Sequence, residues 1–255
     1  MAHPTVANQD IIVLNTIFWS TSYKSCAPDT GDPGEAELEW LGWKLYTASL
    51  LHRGVTLVMH IPPGMDAYNS SHGQCQDPVP FWQDKYQARF SALMSTYSNV
   101  VQLAFAGHIH MDDFRVTAAD PSLLPLRITP SVSPIFRNNP AFSVMTYDLT
   151  TASVSDITTY LLALSSQPPS WSEEYQFLSA YDISSFSAVN LAKIAGAIRS
   201  GGTAQMTFEK DYAVSAPSPI HSSNLSFYSC AQTHFAPTSY SDCVCGAADA
   251  LGESR

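Results

Sequence analysis

The sequence predicts an α/β domain followed by a helical tail, and three observations carry that prediction. Between residues 10 and 106, short aliphatic and β-branched runs alternate with longer stretches of helical spacing, as in strands linked by crossover helices. Between residues 126 and 160 the apolar runs crowd together, as in strands joined by short turns. Beyond Gln167-Pro168-Pro169 the spacing becomes helical. With 255 residues, 45% hydrophobic and 13% charged, the chain can bury a sizeable core and is not disordered as a whole.

Residues 10–19 read as a buried strand, because Ile11, Ile12, Val13 and Leu14 form a continuous apolar run. A loop holding Gly31, Pro33 and Gly34 follows. Residues 35–52 then space Leu38, Leu41, Leu45, Ala48 and Leu51 as on one side of a helix. Gly54 ends that helix, and residues 55–60 form the next strand. Residues 80–97 read as a second helix and 100–106 as a third strand. Strands are expected at 126–129, 142–148 and 154–160, and helices at 171–180, 184–199 and 204–214. The change of rhythm sets a boundary near 165, dividing the chain into 1–165 and 166–255.

A net charge of −10 argues against nucleic acid as a partner, since phosphate-backbone binding needs clustered Lys and Arg. No apolar run approaches the roughly 20 residues of a transmembrane segment. The first residues lack the basic and apolar regions of a signal peptide, so the expectation is a removed leader or a start in mid-protein. Five cysteines, at 26, 75, 230, 243 and 245, form no C-x-x-C pair, and Asn69-Ser70-Ser71 and Asn224-Leu225-Ser226 are glycosylation sequons. Disulfides and an extracytoplasmic setting are the preferred reading, with the odd count leaving one cysteine over.

Three histidines stand at the carboxy ends of expected strands, where α/β sheets form their sites. His60 precedes Ile61-Pro62-Pro63-Gly64; His108 and His110 lie in Phe105-Ala106-Gly107-His108-Ile109-His110. Neutral imidazoles suit Zn, Fe or Mn. Two of them one residue apart on a tight turn, which Gly107 would permit, can address two neighbouring ions, the arrangement that clamps a phosphoryl displacement. His52, His72, His221 and His234 lack such context and read as surface or satisfied polar residues.

Residues 10–160 resemble the second half of the calcineurin-like metallophosphoesterase domain, in its acid sphingomyelinase-like phosphodiesterase branch. The matching pieces are Leu14-Asn15-Thr16, Glu39-Trp40-Leu41, His60-Ile61-Pro62-Pro63-Gly64, Gly107-His108-Ile109-His110-Met111-Asp112 and Asn139-Pro140-Ala141-Phe142. The tail with its cysteines resembles that branch's carboxy-terminal subdomain. The resemblance implies a metallophosphoesterase β-sandwich flanked by helices, without its amino-terminal half. It implies two zinc ions, with His60 and His108 on one and His110 on the other. Asp112, Asn15 and Asn139 would support the ligands or shape the cleft, and Cys26 and Cys75 would form a disulfide.

The implied chemistry is hydrolysis of a small phosphoester or phospholipid by metal-activated hydroxide, in a secreted or lysosomal/vacuolar-like protein. The family's D-x-H, G-D-x-x-D and G-N-H-E motifs do not occur here, so its general acid and bridging carboxylate are expected upstream of this chain. Self-association could cover the gap. The alternative is a non-catalytic remnant holding at most one metal. A third reading makes Phe81, Trp82 and Tyr86 lipid contacts, against which their packing as a helix face is preferred.

Overall fold

The computed structural model describes residues 2–4, 8–26, 31–116, 124–148 and 153–250. The larger of its two sheets runs, in spatial order, β1 (Ala2–Pro4), β2 (Gln9–Leu14), β3 (Gly54–Met59), β4 (Val101–Ala106), β6 (Leu126–Ile128) and β5 (Asp113–Arg115). The neighbours β2, β3, β4 and β6 are parallel, and the edge strands β1 and β5 are antiparallel to theirs. This is the α/β layer that the alternating runs predict.

Helix α1 (Pro33–Leu50) crosses from β2 to β3. Its start is set locally: the Asp32 carboxylate accepts a hydrogen bond from the Glu35 amide at 3.0 Å, and Pro33 occupies the first turn, where no amide donor is needed. It buries Leu38, Leu41, Leu45 and Ala48 against the sheet, while Leu51 lies past its end and is exposed. Helix α2 (Ala67–Ser70) is a single turn after β3. Helix α3 (Asp84–Thr96) returns the chain to β4 and buries Tyr86, Phe90 and Met94. Phe81, Trp82 and Tyr86 are buried, Trp82 meeting Trp19 and Phe90 edge-on with centroids 4.8 and 5.2 Å away. These aromatics are core, as the packing reading held.

The first strand is shorter than expected. It stops at Leu14, and Thr16–Trp19 winds into a 3-10 turn that delivers Trp19 to the aromatic cluster. Burial of the indole, whose Nε1–H donates to the Gly34 carbonyl at 3.1 Å, outweighs continued strand pairing past Leu14.

The second sheet is antiparallel: β7 (Ala141–Asp148), β8 (Ser153–Leu162) and β9 (Trp171–Gln176). The expected helix at 171–180 is corrected here, because Trp171–Gln176 pairs with β8 and only α4 (Phe177–Ala180) is helical. Tyr175 is buried, Glu174 half-buried and Gln176 exposed, and the ladder with β8 shifts register beside them. Helices α5 (Ala188–Ser200), α6 (Thr203–Tyr212), α7 (Leu225–Ala231) and α8 (Pro237–Ala250) complete the chain. Their core is continuous with Met65, Leu103, Phe114 and Val116 of the first 165 residues.

The expected Cys26–Cys75 bridge is replaced. Cys75 bonds Cys245 across 170 residues, Cys230 bonds Cys243, and Cys26 is the free, exposed thiol. Helix α8 packs its cysteine face against the core shared with residue 75, whereas Cys26 stands at an exposed stretch beyond the first aromatic cluster. No described helix is long and apolar enough to cross a membrane.

Candidate functional site

His60 and His108 meet beyond the carboxy ends of adjacent parallel strands β3 and β4. His60 Nε2 lies 3.3 Å from His108 Nδ1, with the rings edge to face. The turn behind His60 is pinned from two sides: the Ile61 amide donates to the buried Thr16 hydroxyl at 2.8 Å and the Gly64 amide to the Gln87 carbonyl oxygen at 2.9 Å. Gly64 has φ +93°, and a Cβ there would press against the Phe235 ring at 3.3 Å. The Gly107 amide donates to the His60 carbonyl at 3.0 Å, which locks the two histidine turns together.

Gly107 does not supply the unusual backbone that the sequence suggests. The left-handed conformation falls on the histidines themselves, at φ 73° for His108 and 65° for His110. Two non-glycine residues held there within three positions store strain of the kind found at functional sites. Burial, with His60 and His110 nearby, holds the His108 imidazole below its ordinary pKa and so favours its neutral, ligating form. His110 lies against Phe136 at 4.8 Å, and its Nδ1 is buried without a hydrogen-bond partner.

The other expected residues have different occupations. The Asp112 carboxylate is consumed by Arg127, Tyr175 and Thr159, at 2.5 Å from Arg127 Nη2, 2.9 Å from the Tyr175 hydroxyl and 3.1 Å from the Thr159 hydroxyl. Asn139 donates to the Val214 carbonyl at 2.8 Å and accepts from the Leu164 amide at 3.2 Å, joining the start of β7 to the tail. Asn15 is exposed at the end of β2, where its amide donates to Glu37 at 2.6 Å. Beside His108 opens a cavity of about 920 Å³, walled by Asp66, Phe81, Arg115, Phe136 and Tyr212 among others. Thr16, Gln87 and Arg115 escape a sequence reading because each acts through a partner distant in the chain. Only the strand-terminal position of His60 and His108 is a local signal.

Zinc can be tested against these residues. Neighbouring ligands of a tetrahedral ion with bonds of about 2.0–2.1 Å to nitrogen stand about 3.3 Å apart. The His60–His108 separation therefore fits two corners of one ion's shell. Among the described residues, however, no group of three or more His, Cys, Asp and Glu is placed to hold a metal. The set fits half of one shell and not a two-ion centre.

No family model matches the chain. It is similar over 188 residues, at 33% identity, to a protein of Dictyostelium discoideum called sphingomyelinase phosphodiesterase D, covering 70% of this chain and 41% of that protein. Over 193 residues it is 31% identical to the human acid sphingomyelinase-like phosphodiesterase 3b, covering 70% and 40%. Sphingomyelin phosphodiesterase B of Dictyostelium discoideum matches 231 residues at 25% identity, covering 85% of this chain and 34% of its own. The chain thus spans 34–41% of the length of these curated relatives.

Proposed function

This chain belongs to the acid sphingomyelinase-like phosphodiesterases, and from that membership we propose that it carries the histidine side of a metal-dependent phosphodiesterase site. The observation that carries the reading is the 3.3 Å approach of His60 and His108 at the ends of neighbouring parallel strands. His60 and His108 would hold one ion, with His110 two residues from His108 and its Nδ1 buried without a partner. When bound, zinc supplies Lewis-acid polarisation of a phosphoryl oxygen and an acidified water. The chain's own part is to fix the imidazoles: the Thr16 and Gln87 contacts hold the His60 turn, and the Gly107 amide ties the His108 turn to it.

The substrate of this reading is a small phosphoester or a phospholipid headgroup, admitted through the cavity beside His108. The two sheets correspond to parts of a metallophosphoesterase sandwich. The carboxylates that such a centre needs come from outside the described residues or from a second copy. The disulfides suit a secreted or lysosomal setting, where the exposed Asn69 sequon would be open to glycosylation.

The test is a zinc titration of the metal-free chain followed by imidazole NMR. The resonances of His60 and His108 are expected to shift together at one equivalent, while those of His52, His72, His221 and His234 stay. His108→Ala should weaken zinc binding by about 10- to 100-fold and abolish metal-dependent hydrolysis of bis-p-nitrophenyl phosphate. Zinc affinity unchanged by that substitution would remove the assignment.

A further inference from the structure

The loop between β6 and β7 carries an apolar tip that the histidine pair does not use. Val132, Ile135 and Phe136 are 65%, 67% and 54% exposed, and Pro134 beside them is exposed as well. Ile135, Phe136 and Arg137 border the cavity beside His108, so the tip is part of the cavity's rim. Large apolar side chains gathered in one short stretch and left in water mark an interaction surface, which the same side chains scattered singly would not.

This exposure is built into the loop. Asn138, 2% exposed, donates through Nδ2 to the Ser133 carbonyl at 3.1 Å and to the Asn139 carbonyl at 3.0 Å. The Ser133 amide donates to the Ser131 hydroxyl at 3.0 Å, and the Arg137 amide to the Pro134 carbonyl at 3.0 Å. At its base the loop is tied to the site: the Ser131 amide donates to the His110 carbonyl at 3.2 Å, and the Phe136 ring lies 4.8 Å from that of His110. A backbone braced in this way loses little freedom when its side chains are engaged, which favours docking.

What the tip meets follows from its size and its charge. Covering three side chains of this exposure removes on the order of 300 Å² from water, far below the roughly 800 Å² that each partner gives to a standard protein interface. Pro134 and the tight turns leave no straight edge for a second chain to extend as a strand. A lipid surface needs neither area nor edge. A few apolar side chains enter it to about 5–10 Å, while a basic residue beside them stays at the level of the headgroups. Arg137 has that place: it is exposed, follows Phe136 directly and enters no ion pair among the described residues, in a chain of net charge −10. We propose that the 131–137 loop docks the chain on a phospholipid surface, with Val132, Ile135 and Phe136 entering the acyl boundary and Arg137 meeting lipid phosphate. The inference rests on the proposed function, since a surface seated on this rim presents its headgroups to the cavity beside His108.

The experiment uses the full chain without added zinc and without a glycan at Asn69, so that its outcome is independent of the zinc reading. Co-sedimentation with unilamellar phosphatidylcholine vesicles is measured for the parent, for Val132→Ser combined with Ile135→Ser, for Trp43→Ser and for His108→Ala. Both loop residues are exposed, so the double variant leaves the core intact. Trp43, exposed on α1 and outside the cavity, reports adsorption through any apolar side chain. The parent is expected to be half bound at millimolar lipid or below, and the double variant to need at least about tenfold more. Trp43→Ser and His108→Ala should stay within about twofold of the parent. Absence of binding to the parent overturns the proposal even where zinc binds His60 and His108. So does an equal loss in Trp43→Ser, or a double variant that binds like the parent. Sedimentation velocity without lipid supplies the last arm: a dimer that the double variant abolishes, with no vesicle binding, assigns the tip to a second copy and overturns the lipid assignment.

Discussion

At the scale of single residues, the buried ionisable groups outside the histidine cluster make the clearest demands. Glu174, in β9, receives a hydrogen bond from the Ser215 hydroxyl at 2.8 Å, but its other carboxylate oxygen is buried without a partner, and burial pushes its pKa up from 4.5 to about 8. A raised carboxyl pKa means that the folded state holds its proton more tightly than the unfolded chain does. The associated stability is complete below pH 4.5 and is lost as pH rises through about 8. Glu174→Gln should therefore stabilise the protein by about 1–3 kcal/mol near pH 9 and leave it unchanged near pH 4, read by urea denaturation across that range. Parallel profiles for parent and variant would sink this account. None of it is visible in the sequence, where Glu173 and Glu174 are two adjacent acids, and only the pairing with β8 and its register shift leaves one exposed and the other half-buried. His60 and His108 are legible because a strand-terminal position is a local property. Arg115 and Gln87 are not, since their roles depend on partners 50 and 23 residues away.

At the scale of elements, one buried ion pair joins the two sheets. Asp112, just before β5, and Arg127 of β6 belong to the first sheet's edge, while Tyr175 of β9 and Thr159 of β8 reach them from the second. Asp112→Asn leaves the Arg127 guanidinium buried without its counter-charge and should cost about 3–5 kcal/mol. Thermal unfolding of Asp112→Asn and of Asp112→Asn with Arg127→Met checks it: the double variant is expected to recover part of the loss. A cost below about 1 kcal/mol for the single change would show that the pair is dispensable. The crossover elements α1, β3, α3 and β4 were legible from apolar spacing, because the helices are long, the strands are largely apolar runs, and α1 carries its own Asp32 cap. The sequence reading failed at β9 because Trp171–Gln176 contains four polar residues and little local preference for a strand. Pairing with β8, a tertiary fact, decides it.

At the scale of the whole molecule, the tail is held to the body both by the core that reaches from Met65 to Val244 and by the Cys75–Cys245 bond. Replacing Cys75 and Cys245 with serine should lower stability by about 2–4 kcal/mol, seen as a shift of the denaturant midpoint against the oxidised parent. An unchanged midpoint would mean that packing alone holds α8. The same bond also sets an order of events during synthesis. Cys75 leaves the ribosome 170 residues ahead of its partner, roughly 10–30 s at ordinary elongation rates. Of the five cysteines of this sequence, the one made before Cys75 is Cys26, which the finished fold leaves free and exposed, while Cys230 and Cys243 follow only shortly ahead of Cys245. The spare cysteine is thus the early competitor for Cys75, and its exposure in the final structure keeps it open to exchange once Cys245 arrives.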